Sequence, residues 1–415
     1  MQTNLADFIR DSAEGREAEA ILRKCVHCGF CTATCPTYQV LGDDLDSPRG
    51  RIYLIKRVLE GAPVTGRTRL HLDRCLTCRA CETTCPSGVQ YGRLADIGRA
   101  VVEERTTRPA WDRAKRAVLA FGLPRTGLFS FFLNVGRLFR ALLPEKMKRM
   151  IPAKSEVGEW PAPRHRRKML VLAGCVQPAL APSINAAAAR VLDRIGISLI
   201  EAGGAGCCGA LRFHLNHQAA GRDDMRALID AWWPLAERGE VEAIVMTASG
   251  CGSTVKEYGH LLANDPQYRE KALRISSMTK DLSEVLSREN IPAVHAGVRV
   301  AFQSPCSLQH GQQLHGTVET ILEKAGFTLT AVRDAHLCCG SAGTYSLLQP
   351  EISAELHDRK LAALHEGGPQ CIATANIGCL AHLQGGNEDG GAPPVRHWIE
   401  LLDEAVRGRE AKRQA

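Results

Sequence analysis

The sequence contains no run of about 18 consecutive apolar residues, so we expect no transmembrane helix. Its first 24 residues also lack the apolar stretch of a secretory signal, because seven charged residues lie between positions 7 and 19. We therefore expect a protein of the reducing cytoplasm, where clustered cysteines more often serve metal or redox chemistry than disulfides. Aromatic residues are also scarce, at 5% of the chain, which leaves few large side chains to fill a core.

Cysteine is what the sequence has in excess, with 17 residues in a chain of 415. An odd number cannot form a complete set of intramolecular disulfides. The hydrophobic share of 45% and the charged share of 23% are ordinary, which excludes a disordered chain and a small disulfide scaffold. The length suggests about two to four domains.

Two blocks of four cysteines share the pattern C-x2-C-x2-C-x3-C-P and lie 50 residues apart. In this spacing three thiolates come from one tight loop, and the fourth ligates the other of two iron-sulfur clusters. The sequence therefore predicts two 4Fe-4S clusters with crossed ligands. The first set is Cys25, Cys28, Cys31 and Cys85, and the second set is Cys75, Cys78, Cys81 and Cys35.

A pair of zinc sites is the alternative, since C-x2-C pairs also suit tetrahedral zinc. Zinc gives no reason for the third C-x2 step or for Pro36 and Pro86 after the two blocks, so the pattern favours clusters. Helical periodicity over residues 51–61 and 94–102 places both blocks in loops braced by helices. We predict an α-helical ferredoxin domain over residues 15–105, with His27 exposed beside its loop or tuning a cluster.

Residues 106–167 form a predicted basic connector. Residues 101–170 contain 16 Lys and Arg against 6 Asp and Glu. Their net charge of +10 exceeds the +7 of the whole chain. A helical apolar face precedes basic residues at Lys146, Lys148 and Arg149. The face consists of Leu128, Phe131, Phe132, Val135, Leu138, Phe139, Leu142 and Leu143. It suits an anionic membrane surface, a partner subunit or plain core packing.

The rest of the chain repeats one cysteine pattern. Cys175 is followed after 31 residues by Cys207-Cys208-Gly209 and later by Cys251. Cys306 is followed after 31 residues by Cys338-Cys339-Gly340 and later by Cys379. The identical first spacing implies a duplicated domain, over residues 168–290 and 291–410. Apolar runs before the cysteines alternate with helical stretches, so we predict two α/β units with cysteines at the carboxyl ends of parallel strands.

The chemistry of these eight Cys-Cys-Gly thiols stays open from the sequence. They could hold further iron-sulfur centres, form a redox-active disulfide or have a structural role. Cys371 lies in a predicted strand and is expected to be a small buried apolar residue. We expect the nearby histidines to be surface or hydrogen-bonded residues rather than ligands: His214, His217, His310, His315 and His382. The segment 204–209 also matches a dinucleotide fingerprint, but the second unit lacks its glycines.

This arrangement resembles the family of glycolate oxidase iron-sulfur subunits. The likeness is carried by the two ferredoxin blocks, the segment Ser47-Pro48-Arg49-Gly50-Arg51-Ile52 between them, the two Cys-Cys-Gly domains and Ala375-Asn376-Ile377-Gly378-Cys379. It covers essentially the whole chain and extends to heterodisulfide reductase and anaerobic glycerol-3-phosphate dehydrogenase subunits. Heterodisulfide reductase units usually end in C-x2-C, whereas these units keep only Cys251 and Cys379, so disulfide-cleaving chemistry is not expected.

The resemblance implies an oxidoreductase complex in which two partner subunits bind flavin and glycolate is oxidised to glyoxylate at FAD. We expect this chain to carry no catalytic residue and to relay electrons to a quinone or other membrane acceptor, peripheral on the inner face of the cytoplasmic membrane. No nucleic-acid motif is present to suggest another partner. The alternatives are an iron-sulfur subunit of a D-lactate or glycerol-3-phosphate dehydrogenase, a thiol-disulfide reductase of the heterodisulfide type, and a structural cluster protein.

Overall fold

The computed structural model describes residues 1–142, 144, 148, 151, 156–291, 297–385 and 392–414, with only the backbone for residues 409–414. A helical N-terminal region is followed by two units, each built on a four-stranded parallel sheet. The predicted class, α+β with an α-helical ferredoxin domain and two duplicated α/β units, is confirmed.

The N-terminal region is framed by three long helices whose apolar faces meet. Ile21, Leu22, Ile55, Leu59 and Leu94 are almost completely buried where they pack together. Short helices and loops fill the spaces between the long ones, and these loops carry the cysteine blocks. The helices are Asp7–Arg10, Ala13–Lys24, Phe30–Ala33, Pro36–Leu41, Pro48–Leu59, Gly66–Asp73, Ala80–Thr84 and Tyr91–Arg105, with a 3-10 turn at Asp44–Asp46.

The connector folds into two helices, Ala110–Gly122 and Thr126–Leu138, followed by a 3-10 turn at Arg140–Leu142. Most of the predicted apolar stripe points outward, so core packing is the wrong interpretation for its described part. The exposed apolar side chains, which we term the connector face, are Trp111, Val118, Phe121, Phe131, Phe132, Val135, Leu138, Phe139 and Leu142. Leu143, Lys146 and Arg149 lie outside the described residues.

Within the described ranges, no single helix is both long and apolar enough to cross a membrane, although the two connector helices pass that test together as a pair bent by 105°.

The first α/β unit has four parallel strands: β1 Arg167–Val171, β2 Ile197–Glu201, β3 Ile244–Met246 and β4 Thr279–Asp281. Their order is β2-β1-β3-β4, with Met169 beside Leu199 and Leu170 beside Ile244. Because the consecutive residues Leu170 and Val171 point to opposite faces and are both fully buried, helices must cover both faces of this sheet. The helices are Gln177–Leu180, Ser183–Arg194, Ala210–His214, Gln218–Glu237, Ser249–Val255, Tyr258–Leu261, Arg269–Met278 and Leu282–Leu286.

The second unit repeats this topology with β5 Arg299–Gln303, β6 Thr328–Leu329, β7 Cys371–Thr374 and β8 Val395–His397 in the order β6-β5-β7-β8. The equivalent strand order supports the duplication inferred from cysteine spacing. Cys371 is buried in β7, as expected. The helices are Thr317–Ala325, Tyr345–Leu348, Pro350–His365, Ile377–Gln384 and Trp398–Gln414, with a π-turn at Ser307–Gly311.

The two units share one apolar core and meet at the carboxyl ends of their sheets. The Ser249 N–H donates to the Ala375 carbonyl at 3.2 Å, and both residues follow a central strand. Nε2 of His397 lies 3.0 Å from the Thr247 carbonyl oxygen. Because the cysteines also follow the strands, this packing brings the two Cys-Cys-Gly sets towards one interface.

Candidate iron-sulfur centres

The structure brings the first predicted set of thiols around one cavity. Cys25, Cys28, Cys31 and Cys85 all line it, so the fourth cysteine of the second block faces the first three cysteines of the first block. The cavity opens towards the surface at Cys28, which is exposed, and beside Val26 and Phe30, which are 69% and 63% exposed. This candidate site is therefore the more accessible of the two.

The second predicted set lines a neighbouring cavity, which Cys35 shares with Cys75, Cys78 and Cys81. Cys35 immediately precedes the helix Pro36–Leu41, in which Pro36 takes the first position. Proline suits that position because a first-turn N–H has no partner within the helix. Pro48, Cys81 and Tyr91 line both cavities, so a wall of side chains separates the two candidate sites.

The backbone of the two loops repeats with the same offset of 50 residues. His27 and Gly29 have φ values of 60° and 89°, and the equivalent residues Thr77 and Arg79 have 55° and 61°. Left-handed residues are uncommon outside glycine, and they turn the chain sharply. Each loop therefore curls so that its three thiols face one cavity. Asparagine, aspartate or glycine at these positions would have indicated such a turn in the sequence. Of the four left-handed positions, only Gly29 carries one of these residues.

Buried polar side chains surround the second site. Arg51 is 1% exposed, and its Nη1 atom donates to Thr37 Oγ1 at 3.0 Å and lies 4.0 Å from Cys35 Sγ. Its Nη2 atom donates to Asp46 Oδ1 at 3.2 Å. Burial raises the pKa of Cys35, while the Arg51 cation opposes that rise. A cation here stabilises negative charge on whatever these thiolates bind.

Two further side chains hold the second loop in place. The guanidinium of Arg99, which is buried, donates to Thr77 Oγ1 at 2.8 Å and to the Cys75 carbonyl at 2.7 Å. The Tyr91 hydroxyl donates to Cys75 Sγ at 3.5 Å. The sequence interpretation missed Arg99, Tyr91 and Asp46, and used Arg51 only as part of a family segment. Arg51 occupies a helix position that faces the core, and a charged residue there indicates a buried side chain with a polar partner.

The first cavity is thus lined by the four thiols of the first set together with Cys81 and His27, and the second cavity by the four thiols of the second set. Thiolate is the ligand of iron-sulfur clusters and also of zinc sites built from four cysteines, so the donor atoms fit the predicted clusters. The crossed assignment of ligands stays a prediction.

The first Cys-Cys-Gly set forms a row of thiols. Cys207 is hydrogen-bonded to Cys175 on one side and to Cys208 on the other, and Cys208 continues to Cys251. Hydrogen bonds from Cys175 and Cys208 lower the pKa of Cys207 well below the usual range of a thiol. Arg212 adds to the same effect.

The second Cys-Cys-Gly set repeats the row, from Cys306 through Cys338 and Cys339 to Cys379. It differs at its first member, because Cys306 also contacts Cys78 of the ferredoxin domain. Hydrogen bonds that Cys306 donates to Cys338 and Cys78, together with burial, raise the pKa of Cys306. The structure thus joins eight predicted thiols into two sets and places one set against the second ferredoxin site.

The glycine of each Cys-Cys-Gly motif is explained by its backbone. Gly209 and Gly340 have φ values of 81° and 90°, and each donates its N–H to the Sγ atom of the first cysteine of its pair. A Cβ atom would lie 2.4 Å from the Gly221 carbonyl oxygen or 2.6 Å from that of Ser353. Glycine therefore allows both the left-handed turn and the close approach of the following helix.

The histidines do not gather around one thiol set. The paired ones contact hydroxyl, carbonyl or thioether groups, and the others are exposed. His214, His217 and His315 are exposed. His310 is buried, with Nδ1 at 2.9 Å from Thr83 Oγ1 and Nε2 at 2.9 Å from the His336 carbonyl oxygen. His382 Nε2 lies 3.5 Å from Ser353 Oγ. His27 Nδ1 lies 3.4 Å from Met1 Sδ.

Two family descriptions match this chain. Residues 21–89 match the family described as "4Fe-4S dicluster domain". Residues 169–256 and 300–384 match the family described as "Cysteine-rich domain". The matched ranges contain all eight ferredoxin cysteines and all eight Cys-Cys-Gly cysteines, which supports iron-sulfur binding.

Two of the relatives match nearly the whole chain, and a third matches about half of it. It is 53% identical over 410 residues to the glycolate oxidase iron-sulfur subunit of Escherichia coli, covering 98% of this chain and 99% of that protein. It is 31% identical to the probable glycolate oxidase iron-sulfur subunit of Bacillus subtilis, covering 96% and 97%. Lactate utilization protein A of Bacillus subtilis is 24% identical, covering 57% of this chain and 99% of that protein.

One solved structure shares the fold. The crystal structure of a hypothetical protein from Helicobacter pylori has a TM-score of 0.50 and 12% sequence identity. The match covers 95% of this chain and 72% of that chain. At this identity the likeness concerns the fold alone.

Proposed function

The chain belongs to the family of glycolate oxidase iron-sulfur subunits, and from this premise we propose that it relays electrons within a glycolate dehydrogenase complex. In this proposal glycolate is oxidised to glyoxylate at the FAD of a partner, two partner subunits bind flavin, and the electrons leave to a quinone or another membrane acceptor. The observation that carries the proposal is the pair of adjacent cavities, each lined by one predicted set of four thiols, that share a wall of Cys81, Pro48 and Tyr91.

The residues of this chain have three tasks in that relay. Cys25, Cys28, Cys31 and Cys85 would hold one 4Fe-4S cluster, and Cys35, Cys75, Cys78 and Cys81 would hold the other. Bound iron-sulfur clusters supply one-electron uptake and release. The shared wall keeps the two ligand sets adjacent. Arg51, Thr37 and Tyr91 direct positive charge or hydroxyl groups towards Cys35 and Cys75.

The exposed edge of the first site supports docking of a flavin subunit there. Val26 and Phe30 flank the exposed Cys28 and present their apolar side chains to solvent. Exposed apolar groups beside a redox ligand suit a protein interface, because docking would exclude water from the ligand. The second site lies deeper, with Cys35 and Cys81 buried. Electrons would thus enter at Cys28 and move towards Cys35.

The Cys-Cys-Gly units are proposed to hold further iron-sulfur centres. Four thiols converge in each unit, and both rows are largely buried. A set of four thiolates is enough for one cluster. The two glycine N–H groups that point at Cys207 and Cys338 would stabilise thiolate charge.

The connector face supports the proposal of peripheral contact with the inner face of the cytoplasmic membrane. Its apolar side chains are carried by two helices at 105° to each other, so they spread over a surface rather than along one line. The surrounding segment is strongly basic, and anionic lipids attract such segments. Trp111 and the phenylalanines are suited to the lipid interface.

The experiment that tests the relay is co-expression of this chain with its flavin subunits, followed by iron and sulfide analysis and a glycolate-to-acceptor assay. We expect glycolate to reduce the iron-sulfur centres, and Cys28→Ser to abolish acceptor reduction while flavin reduction by glycolate persists. Cys371→Ser is the matched control, because Cys371 is buried in β7 and belongs to no thiol set. A redox-silent preparation, or full acceptor activity in the Cys28→Ser complex, would contradict the proposal. D-lactate and glycerol 3-phosphate should be assayed as competing substrates.

A further inference from the structure

The ferredoxin domain touches the second Cys-Cys-Gly set through a pair of cysteines. Cys306 packs against Cys78, and Cys338 lies in the same buried apolar cluster. The contact is fixed from both sides of the interface. Tyr345 donates its hydroxyl to the Arg74 carbonyl at 2.9 Å, and Thr83 Oγ1 lies 2.9 Å from His310 Nδ1.

A single asparagine joins the second set to the first. The Asn376 Nδ2 atom donates to Cys379 Sγ at 3.5 Å, while its Oδ1 atom accepts the Gly250 N–H at 3.1 Å. Gly250 immediately precedes Cys251, the last member of the first set. The equivalent position in the first unit is Ala248, which cannot make such a bridge. Ser249 and Ser307 reinforce the junction, since their hydroxyl oxygens lie 2.8 Å apart.

The connector contacts residues beside the first set. Of the described residues, none from the ferredoxin domain belongs to the apolar cluster around Cys208 and Cys251. Thr126 Oγ1 donates to the carbonyl of Gly174, next to Cys175, at 3.4 Å. The Arg212 guanidinium donates to the Ala120 carbonyl at 3.0 Å. Both contacts come from the two helices that present the connector face.

We propose that the two Cys-Cys-Gly sets act in series: electrons enter the second set where Cys306 meets Cys78, and they pass to the first set where Asn376 holds the two sets together. The inference rests on the proposed relay and extends it: the second unit is the immediate acceptor, and the first unit is the terminus beside the connector face. Asn376 is a positioning residue, because it holds Cys379 and the turn before Cys251 in contact. In this proposal the two duplicated units occupy different positions along one electron-transfer path.

The proposed transfers balance as single-electron steps with no change in covalent bonds. The site lined by Cys35, Cys75, Cys78 and Cys81 is oxidised by one electron, and an iron-sulfur centre at Cys306, Cys338, Cys339 and Cys379 is reduced by it. The same electron then passes to the centre at Cys175, Cys207, Cys208 and Cys251. Glycolate is the reductant that the proposed function supplies, and a quinone is the terminal oxidant.

The test is freeze-quench EPR on the assembled complex after mixing with glycolate, with a parallel arm in which dithionite reduces every centre. In the wild type, the second set should be reduced before the first. In Asn376→Asp, which keeps the Oδ acceptor for Gly250 but loses the donor to Cys379, the first set should be reduced more slowly and the second set at the wild-type rate. Asn376→Ala should give a larger loss.

Gln312→Ala is the matched control. Gln312 donates to the Ser249 carbonyl at 3.1 Å across the same interface without bonding a thiol, so its loss should leave both rates unchanged. In Cys306→Ser, reduction of the first set by glycolate should be lost. Wild-type reduction of the first set in Cys306→Ser, or reduction of the first set before the second, would overturn the series.

Iron analysis and the two reductants separate this inference from the proposed function. About eight irons per chain would overturn the series while leaving the ferredoxin relay intact, because that number is accounted for by two clusters. Failure of glycolate to reduce any centre that dithionite reduces would instead overturn the proposed function. Glycolate could also reduce the ferredoxin sites normally but reduce the first Cys-Cys-Gly set before the second. That result would overturn the series and leave the proposed function intact.

Discussion

The Nη1 atom of Arg51 lies 4.0 Å from Cys35 Sγ, with the arginine and Asp46 both buried. The Asp46 carboxylate is shared, since Arg74 Nη1 also donates to it at 2.8 Å. Two guanidinium groups therefore face one buried carboxylate, which leaves excess positive charge beside the second thiol set. The first site has no comparable buried cation among the residues that line its cavity: the side chain of Arg49, the arginine there, is 37% exposed. This asymmetry favours electron flow from the first site to the second.

Replacing Arg51 should change both potential and stability. In Arg51→Met we expect a lower reduction potential for the centre at Cys35, because the neighbouring cation that stabilises the reduced form is lost. We also expect a loss of about 3 kcal/mol in unfolding free energy, since one partner of a buried ion pair is removed. EPR-monitored redox titration and urea unfolding measure the two effects. Arg49→Met, two residues away and far less buried, should change neither appreciably; equal effects in the two variants would contradict the role of burial.

Serine variants should reveal the crossed ligands. Cys35→Ser and Cys75→Ser are expected to lose the same EPR signal, and Cys85→Ser and Cys25→Ser the other, because Cys35 lines the cavity of the second block and Cys85 lines that of the first. Each variant should lose up to about four irons. If Cys35→Ser instead removed the signal lost in Cys25→Ser, the ligands would not be crossed. Cys371→Ser should retain both signals.

Alanine at either motif glycine should destabilise its unit. In Gly209→Ala and Gly340→Ala we expect a loss of about 1–3 kcal/mol from the left-handed backbone, and more from the short contact to a carbonyl oxygen. Thermal unfolding followed by circular dichroism measures the loss. Gly203→Ala is the control, because a Cβ at Gly203 meets no atom within 4 Å. Similar melting temperatures for Gly209→Ala and Gly203→Ala would exclude this explanation of the motif.

His397 should make the packing of the two units sensitive to acid. Burial lowers its pKa from 6.5 to about 4, so between these values the unfolded chain binds a proton that the folded chain does not. The contribution to stability is complete above about pH 6.5 and decreases as the pH falls, by up to about 3 kcal/mol near pH 4. Urea unfolding across this range should show a flatter profile for His397→Gln than for the wild type. His315→Gln, at an exposed histidine, should follow the wild type.

The connector face should determine lipid binding without affecting folding. Phe131 and Phe132 are 61% and 62% exposed, so replacing both with serine should leave the melting temperature almost unchanged. Binding of the complex to anionic vesicles should fall and should also weaken with added salt. Leu273→Ser, at a half-exposed leucine of the first α/β unit, is the control. Unchanged vesicle binding by the double variant would remove the membrane role, and loss of a flavin subunit from it would assign this face to a partner.

Much of the site could be predicted from cysteine spacing. The ferredoxin blocks indicated which thiols converge, because a spacing of two residues leaves a loop only a few ways to turn three side chains inward. The spacing of 31 residues indicated the duplication, and apolar runs before each cysteine indicated the strands that carry them. The crossing of Cys35 and Cys85 follows from the ferredoxin spacing and stays a prediction.

The outward direction of the connector stripe could not be predicted, because periodicity is the same whether an apolar face meets the core or solvent. The burial of Arg51 was also invisible, since its partners Asp46, Thr37 and the His71 carbonyl come from three different segments. The left-handed turns at His27, Thr77 and Arg79 occur at residues that do not usually favour them.

The sequence by itself determined the fold class and the duplication and predicted the ligand sets, because these depend on local spacing and on strand and helix patterns within each unit. Only the tertiary structure decided that Cys306 meets Cys78 and that Asn376 joins Cys379 to the turn before Cys251. Those contacts link residues far apart in the chain. They depend on how whole domains pack. Because the two units have the same cysteine spacing, the spacing does not show which unit meets Cys78.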